Sequence, residues 1–370
     1  MFAPNADLGR DIRWGRTEEC YGEDAYLAGH LTVAYVKGLQ GDHPKYWKTA
    51  SLMKHFLANS NENNRFINSS DFDERFFYEY YGYAFYKGIV EGGSRAYMAA
   101  YNKYNGIPCT VHPVLKEVTV EEWGQNHVAS DGREEVDRQA ISLEQEDLVK
   151  LVKAVNPNTV LVLVSSFPYA IPWSKDNVPA ILHITQSSQE LGNGFADVIF
   201  GELSPAGRLV QTWPASIDEL LPILDYNIRN GRTYMYDRHT PLFAFGHGLS
   251  YTTFEYSGLE MSKSTIKDGD VVEVTLRVTN TGALSSDEVV QLYVRFPESQ
   301  VEQPIKALKG FKRVHVPAGE SIFVTIPLKA DDLKYWDEER HEFVLEKGNV
   351  EILLGASSAD IRLTGSIMAE

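Results

Sequence analysis

Hydrophobic and polar positions in the first third of the chain alternate between two periods. Apolar residues recur at helical spacing over residues 25–39 and 73–91, which predicts two helices. Each helix precedes a short apolar run that ends in polar residues, 48–54 and 94–100, and these runs predict buried strands. Strands that alternate with helices along the chain are typical of a parallel α/β unit.

The same alternation returns, more regularly, between residues 140 and 215. Residues 143–155 predict an amphipathic helix, and 159–164 form a continuous apolar strand that we expect to be buried on both faces. A second strand over 180–185 and a helix over 189–200 follow. This pattern predicts a doubly wound layer that is separate from the first region.

The last third of the chain has the pattern of an all-β domain. Alternating apolar and polar residues over 271–278 predict a strand with one buried face. Similar runs follow, with turn residues between them, at 289–296, 321–328 and 349–354. Short strands separated by turns favour a β-sandwich of roughly a hundred residues.

Composition narrows the classes of function. The net charge is −16, which argues against a surface for nucleic acid or anionic membrane. No apolar run approaches the roughly 20 residues that cross a bilayer, so we expect no membrane insertion. Cys20 and Cys109 cannot form a disulfide framework and match no zinc motif. The first residues show no signal peptide, and the sequence leaves the compartment and the oligomeric state undetermined.

Candidate chemistry begins in the segment "DLGRDIRWGRTEECYGED", residues 7–24, which is dense in Arg, Trp and acidic residues. Arginine suits planar contact with carboxylates or vicinal hydroxyls, and a tryptophan ring offers a flat platform for a sugar face. The alternative is a web of surface ion pairs. The presence of Trp14 within the charged cluster favours a binding site.

Polar residues also follow the predicted strands, at the end where parallel α/β folds bind ligands. Lys54 and His55 end the first strand, and a group suited to gripping a polyol follows: Asn59, Asn61 and Arg65. Tyr101 emerges at the end of the second strand. A lone histidine or tyrosine is more often a packing residue, but the Lys–His pair indicates a site.

Long segments of the chain resemble glycoside hydrolase family 3, the retaining β-glucosidases, β-xylosidases and their relatives. "APNADLGRDIRWGRTEECYGED", "KHFLANSNENNR" and "MAAYNKYNGIPC" are similar to signature blocks of the family's barrel domain, in the family's order. "PNTVLVLVSSFPYAIPW" and "PLFAFGHGLSYTTFEYS" resemble its second domain and the connector after it. "VVQLYVRFPES" and "VEILLGASSADIRL" resemble its C-terminal fibronectin type III-like domain.

The resemblance implies an α/β protein with three domains. These are a partial (β/α)8-type barrel over 1–127, a doubly wound α/β sandwich with a connector over 128–254, and a fibronectin type III-like β-sandwich over 255–370. A full barrel of this type takes roughly 250 residues, about twice what the first region offers. The chain therefore resembles a family member that lacks the N-terminal part and an internal block.

The resemblance also implies roles for individual residues. Arg16, Lys54 and His55 match residues that hydrogen-bond the terminal sugar, and Tyr101 matches a tyrosine close to the nucleophile. Asp131, in "ASDGREEVDR", matches the nucleophile, and Glu134, with Glu135 as its rival, matches the acid/base. Retaining glycosidases hold these two carboxyl groups about 5 to 5.5 Å apart. No metal or cofactor is implied, and the expected partner is a β-linked oligosaccharide or glycoside.

Two interpretations stay open at this point. In the first, the protein is a retaining exo-acting β-glycosidase that removes terminal β-D-glucosyl or xylosyl residues through a covalent intermediate. In the second, the chain is catalytically inactive and retains at most carbohydrate binding. The second arises because Asp131 lies one residue closer to Gly124 than the family spacing, and because "ASDGREEVDR" also resembles a second-domain loop. Family members are often periplasmic or secreted.

Overall fold

The computed structural model describes residues 1–43, 47–118, 141–143, 145–165, 167–185 and 190–370. The first region contains helices and short strands in mixed order. Its helices are α1 (Ala25–Gln40), α2 (Glu74–Phe76), α3 (Tyr83–Val90) and α4 (Val114–Glu117). Its strands are β1 (Met53–Phe56), β2 (Ser69–Ser70), β3 (Tyr97–Ala99), β4 (Lys103–Tyr104) and β5 (Ile107–Pro108).

Helix α1 begins and ends as its sequence dictates. The Asp24 carboxylate caps its first turn by accepting a hydrogen bond from the Leu27 amide at 2.7 Å. The helix ends at Gln40, and the following residue, Gly41, has a φ of +74°, which suits a residue without a Cβ atom. The prediction of a single helix over 73–91 was wrong in one respect. A π-helical turn, Phe77–Tyr81, separates α2 from α3 and carries three buried aromatic side chains.

Strands β1 and β3 run parallel and place their polar ends on the same side of the sheet. Met53 pairs with Tyr97, and Phe56 with Ala99. Both strands are shorter than predicted. The N-terminal segment adds to this sheet, because the Lys54 amide donates to Pro4 and the Ala6 amide donates to Lys54. The first segment is thereby fixed in register beside β1.

The next region is a parallel βαβ unit. Strand β6 (Val160–Val164) pairs with β7 (Ala180–Ile184). Along the chain, α5 (Glu146–Val155) precedes β6, α6 (Pro172–Asn177) connects the two strands, and α7 (Leu191–Ile199) follows β7. The expectation that the first of these strands is buried on both faces was wrong. The exposed fraction is between 37% and 48% for three of its side chains, Val160, Val162 and Val164. The reason is that β6 pairs with one strand alone among the described residues, and one of its faces is uncovered.

The C-terminal region is a sandwich of two antiparallel sheets around one core. Its strands are β8 (Phe254–Met261), β9 (Thr265–Ile266), β10 (Val271–Asn280), β11 (Ser286–Arg295), β12 (Ala307–Val316), β13 (Ser321–Lys329), β16 (Gly348–Gly355) and β17 (Ile361–Ala369), with a hairpin of β14 (Tyr335–Asp337) and β15 (Glu342–Val344). One sheet has the order β13–β10–β8, and the other has the order β12–β11–β16–β17, with the short strand β9 parallel to β17. The predicted class is confirmed as α/β with a partial barrel, a parallel α/β unit and a fibronectin type III-like sandwich.

The connector after the α/β unit joins the first region to the sandwich. It carries α8 (Thr233–Tyr236). The buried Arg232 guanidinium lies 2.6 Å from the Asp11 carboxylate and also donates to backbone carbonyls of the connector. The Tyr234 hydroxyl donates to Asp24 at 2.7 Å and accepts from the Leu308 amide of the sandwich. Within the described residues, no helix has the length and apolar character needed to cross a membrane.

Candidate functional site

Three of the residues predicted to bind sugar converge at the polar end of β1. Lys54 and His55 lie on the strand itself, and Arg16 reaches them from the short 3-10 turn Thr17–Glu19 that it precedes. The Arg16 Nη1 atom lies 3.1 Å from Nε2 of His55. The fold therefore brings these three side chains into one cluster, although Arg16 is far from the other two in the chain.

The Glu19 carboxylate joins Arg16 to Lys54. Its two oxygens accept from Nε and Nη2 of Arg16 at 2.6 and 2.8 Å, and Oε2 also lies 2.8 Å from Nζ of Lys54. Burial alone would raise the pKa of Glu19, but hydrogen bonds and charge from Arg16 and Lys54 outweigh it and lower that pKa from 4.5 to about 2. The carboxylate is therefore ionised across the physiological pH range and balances two cations.

The Asp7 carboxylate holds His55 from the opposite side. Its Oδ2 atom accepts from the backbone amide of His55 at 3.0 Å and lies 2.9 Å from Nδ1 of the same ring. Asp7 is buried, and its own amide donates to Asn5 at 2.9 Å. The sequence argument did not single out Asp7 or Glu19. Glu19 could have been found, because an acid three residues after an arginine on one turn pairs with it.

Burial is uneven across this cluster. Arg16, His55 and Asp7 are buried, whereas the side chains of Lys54 and Glu19 keep 18% and 30% of their exposure. An incoming ligand therefore meets the ammonium and carboxylate groups first. The arrangement offers several N–H donors and one ionised acceptor at a partly desolvated position, which suits a neutral ligand rich in hydroxyl groups.

Tyr101 lies in an aromatic and cationic group at the end of β3. Its ring centroid is 4.9 Å from that of Phe66, and the Arg65 guanidinium carbon is 5.1 Å from the Tyr101 ring. Arg65 is also ion-paired with Glu62 at 2.5 Å. Arg65 thus has a local structural partner in addition to its position beside the tyrosine.

Trp14 does not offer its ring to a ligand, contrary to the expectation from sequence. The indole is fully buried, and its Nε1 donates to Glu62 at 2.7 Å. The charged segment around it packs inward because Glu62 satisfies the indole and Arg65 together. Of the asparagines expected to grip a polyol, Asn61 accepts from the Tyr226 hydroxyl at 2.8 Å, and Asn59 is fully buried.

The two predicted catalytic carboxylates lie outside the described residues. Asp131 and Glu134, together with the rival Glu135, fall within residues 119–140, of whose structure nothing is stated. Their assignment as nucleophile and acid/base stays a prediction. The domain boundary between 127 and 128 falls in the same stretch and also stays a prediction.

The fold places the chain in a class of solved structures. The beta-D-glucoside glucohydrolase of Trichoderma reesei superposes with a TM-score of 0.88 at 20% identity, covering 100% of this chain and 85% of the other. A GH3 beta-glucosidase of Bifidobacterium adolescentis gives 0.89 at 21% identity, covering 100% and 82%. At these identities the likeness establishes the fold, which is that of multidomain α/β proteins ending in a β-sandwich.

Sequence comparison then identifies the family. The model of the glycosyl hydrolase family 3 N-terminal domain matches residues 1–165, that of the family 3 C-terminal domain matches 116–251, and that of the fibronectin type III-like domain matches 288–358. The chain belongs to glycosyl hydrolase family 3.

Curated relatives are longer than this chain. The thermostable beta-glucosidase B of Acetivibrio thermocellus is 36% identical over 240 residues, which cover 62% of this chain and 32% of that protein. A beta-glucosidase of Rhizobium radiobacter is 37% identical over 239 residues, which cover 60% and 29%. The matched part of this chain thus spans about a third of the length of these relatives.

Proposed function

We propose that this protein binds the terminal non-reducing sugar of a β-linked glycoside at the cluster of Arg16, Lys54 and His55 and hydrolyses its glycosidic bond. The observation that carries the proposal is the convergence of these three side chains, with Glu19 and Asp7, at the polar end of β1. Parallel α/β folds bind ligands at that end of their strands. The family to which the chain belongs acts on glycosidic bonds, which agrees with this chemistry.

Each member of the cluster has a distinct role in the proposal. The Arg16 guanidinium presents several N–H groups in one plane and can donate to two neighbouring hydroxyls of a sugar. The Lys54 ammonium is a compact donor at the more exposed side of the cluster. The Glu19 carboxylate accepts hydrogen bonds from hydroxyls that the cations do not take. Tyr101, at the end of the neighbouring strand, would line the sugar near the reacting carbon.

The proposed reaction is that of a retaining glycosidase. Asp131 would attack the sugar's anomeric carbon and form a covalent intermediate, while Glu134 protonates the departing oxygen and later deprotonates the attacking water. Relatives that carry the name beta-glucosidase favour a terminal glucosyl residue over a xylosyl one. The proposal therefore names β-glucosides as the first substrate class, and β-xylosides as the comparison.

The test is release of nitrophenol from aryl β-glucosides and β-xylosides. We expect turnover by the parent and loss of turnover in Asp131→Ala. Lys54→Met keeps the aliphatic stem but removes charged hydrogen bonds worth about 1.5–3 kcal/mol, so kcat/KM should fall roughly 10- to 100-fold. Lys37→Met, an exposed change on α1, is the matched control. Turnover that is unchanged in both Asp131→Ala and Lys54→Met would contradict the proposal.

A second function, carbohydrate binding without hydrolysis, is favoured by the sequence around Asp131, which lies one residue closer to Gly124 than the family spacing of the nucleophile. The two functions differ in a direct measurement. Calorimetric titration with a non-hydrolysable thioglucoside should show binding in either case. Binding that Lys54→Met abolishes, with no nitrophenol release by the parent, would establish the second function over the first.

A further inference from the structure

Among the described residues, Asp7 is the buried carboxylate that contacts His55, and it does so through two donors of that histidine, the backbone amide and the ring. Oδ2 receives the backbone amide at 3.0 Å and lies 2.9 Å from the ring Nδ1. The other oxygen, Oδ1, is buried and has no hydrogen-bond partner among the described residues. The acceptor capacity that acts on His55 is therefore concentrated in a single atom.

The register of the N-terminal segment fixes that atom in place. Backbone hydrogen bonds hold residues 4–6 beside Lys54, and the Asp7 amide donates to the Asn5 side chain. Asp7 consequently has little freedom to move away from the ring. Its position is set by the backbone of β1, on which His55 also lies.

The donor and acceptor roles at the two ring nitrogens then follow from chemistry. An ionised carboxylate only accepts, so Nδ1 of His55 must carry the hydrogen. A guanidinium only donates, so Nε2, at 3.1 Å from Arg16 Nη1, must present its lone pair. A doubly protonated ring would set two N–H groups against each other at that contact. The neutral Nδ1–H tautomer is the form that satisfies both neighbours.

We infer that Asp7 is a positioning residue that holds His55 in the Nδ1–H tautomer, so that Nε2 accepts from Arg16 and orients the guanidinium toward the sugar. Glu19 holds the same guanidinium from its other edge at 2.6 and 2.8 Å. Two carboxylates thus fix Arg16, one directly and one through the imidazole. Only the orientation of Arg16 toward a sugar rests on the proposed function, because the tautomer of His55 is a property of the protein without ligand.

The direct test is nitrogen NMR of the parent protein, labelled with ¹⁵N-histidine and free of ligand. The sequence has ten histidines, and His55→Gln assigns the signal of interest by its disappearance. We expect a protonated Nδ1 and an unprotonated Nε2 near neutral pH. An Nε2–H tautomer, or a doubly protonated ring, overturns the inference. This measurement needs no variant at Asp7 to fold.

Two variants at Asp7 separate positioning from bulk structure. Asp7→Asn keeps an acceptor oxygen and should keep the Nδ1–H tautomer, whereas Asp7→Ala removes it and should shift His55 toward Nε2–H. Asp71→Asn, at an exposed position, is the control for the substitution chemistry. A tautomer that is unchanged in folded Asp7→Ala overturns the inference.

Thioglucoside titration of the same proteins distinguishes this inference from the proposed function. If positioning matters for binding, affinity should fall roughly tenfold in Asp7→Ala, about one oriented hydrogen bond, and recover in Asp7→Asn. A parent with the expected tautomer that binds no glycoside refutes the proposed function and leaves the positioning role of Asp7 supported. A parent that binds glycoside with the Nε2–H tautomer does the reverse.

Discussion

The α/β unit and the C-terminal sandwich both contain strands rich in valine and leucine, but they differ in how completely these side chains are covered. In β10 of the sandwich, Val272, Val274, Leu276 and Val278 are fully buried. In β6 of the α/β unit, Val160, Val162 and Val164 stay between 37% and 48% exposed. The side chains are of the same type, so the difference arises from their neighbours.

The strand pairings show how many neighbours each of these two strands has among the described residues. Strand β10 is paired on both sides, with β8 and β13, and faces the second sheet across a shared core. Strand β6 pairs with β7 alone in the part of the chain that the structure describes. Helix α5 repeats the pattern, because its apolar stripe at Leu148, Leu151, Val152 and Val155 is exposed. An apolar sequence thus indicates which side chains of a segment can be buried, whereas the packing of neighbouring elements determines which of them are buried.

The largest effect on stability should come from truncating a buried leucine side chain in the C-terminal sandwich. Leu276→Ala removes a fully buried side chain and should lower the free energy of unfolding by about 2–5 kcal/mol, through lost burial and the cavity left behind. Leu151→Ala in α5 is the matched change at a side chain that is 68% exposed, and it should cost less than about 0.5 kcal/mol. Urea unfolding followed by circular dichroism compares the two. Equal losses would break the comparison.

The next effect concerns a buried acid where the first region meets the connector. Glu23 accepts from the Thr212 hydroxyl at 2.5 Å and from the Tyr234 amide at 3.2 Å, and burial raises its pKa from 4.5 to about 7. Between pH 4.5 and about 7, Glu23 therefore keeps its proton in the folded protein but has lost it in the unfolded chain. This group should make the protein less stable as pH rises from about 5 to 7, by at most on the order of 3 kcal/mol.

Melting temperatures measured between pH 5 and 8 test this dependence. Glu23→Gln should flatten the corresponding part of the profile, because the amide has no proton to lose. Thr212→Val removes a hydrogen bond that favours the ionised form, so it should move the loss of stability to higher pH. A parent profile that rises between pH 5 and 7, with Glu23→Gln unchanged, would contradict the assignment.

The smallest effect on stability should come from a polar replacement on β6, the strand with an uncovered face. Val162→Thr in β6 keeps the side-chain shape and a β-branched carbon, and at 37% exposure the new hydroxyl reaches water. We expect a change within about 0.5 kcal/mol. Val274→Thr, on the fully buried face of β10, should cost about 1–3 kcal/mol because its hydroxyl is desolvated. Thermal unfolding of both variants makes the comparison, which fails if Val162→Thr is as costly.

Sequence pattern predicted the sandwich better than the first region, and the reason is physical. Alternation over 271–278 reports one buried face directly, and the strand is Val271–Asn280. The run 48–54 carries no such alternation, and the strand there is Met53–Phe56. The π-helical turn could not be predicted, because its register depends on tertiary contacts, such as the Glu79 carboxylate that accepts from the Trp336 amide at 2.7 Å.

The candidate site divides in the same way. Lys54 and His55 could be found because they end an apolar strand. Arg16 could be found only through the family resemblance, which singles it out within a dense charged segment. Asp7 acts through a backbone register between two distant segments, which no local pattern encodes. Trp14 shows the limit of reasoning from residue type, since a ring that suits a sugar is instead buried against Glu62.

The most direct test of the account is a glucose titration of ¹⁵N-histidine-labelled protein, with the His55 ring as the reporter. We expect its signals to shift in a saturable manner in the parent and in Lys37→Met, because the proposed function places the sugar against the Arg16–Lys54–His55 cluster. In Lys54→Met the same titration should saturate at a much higher glucose concentration. Signals of His55 that do not respond to glucose, or that respond identically in the parent and in Lys54→Met, would contradict the claim that this cluster is the sugar site.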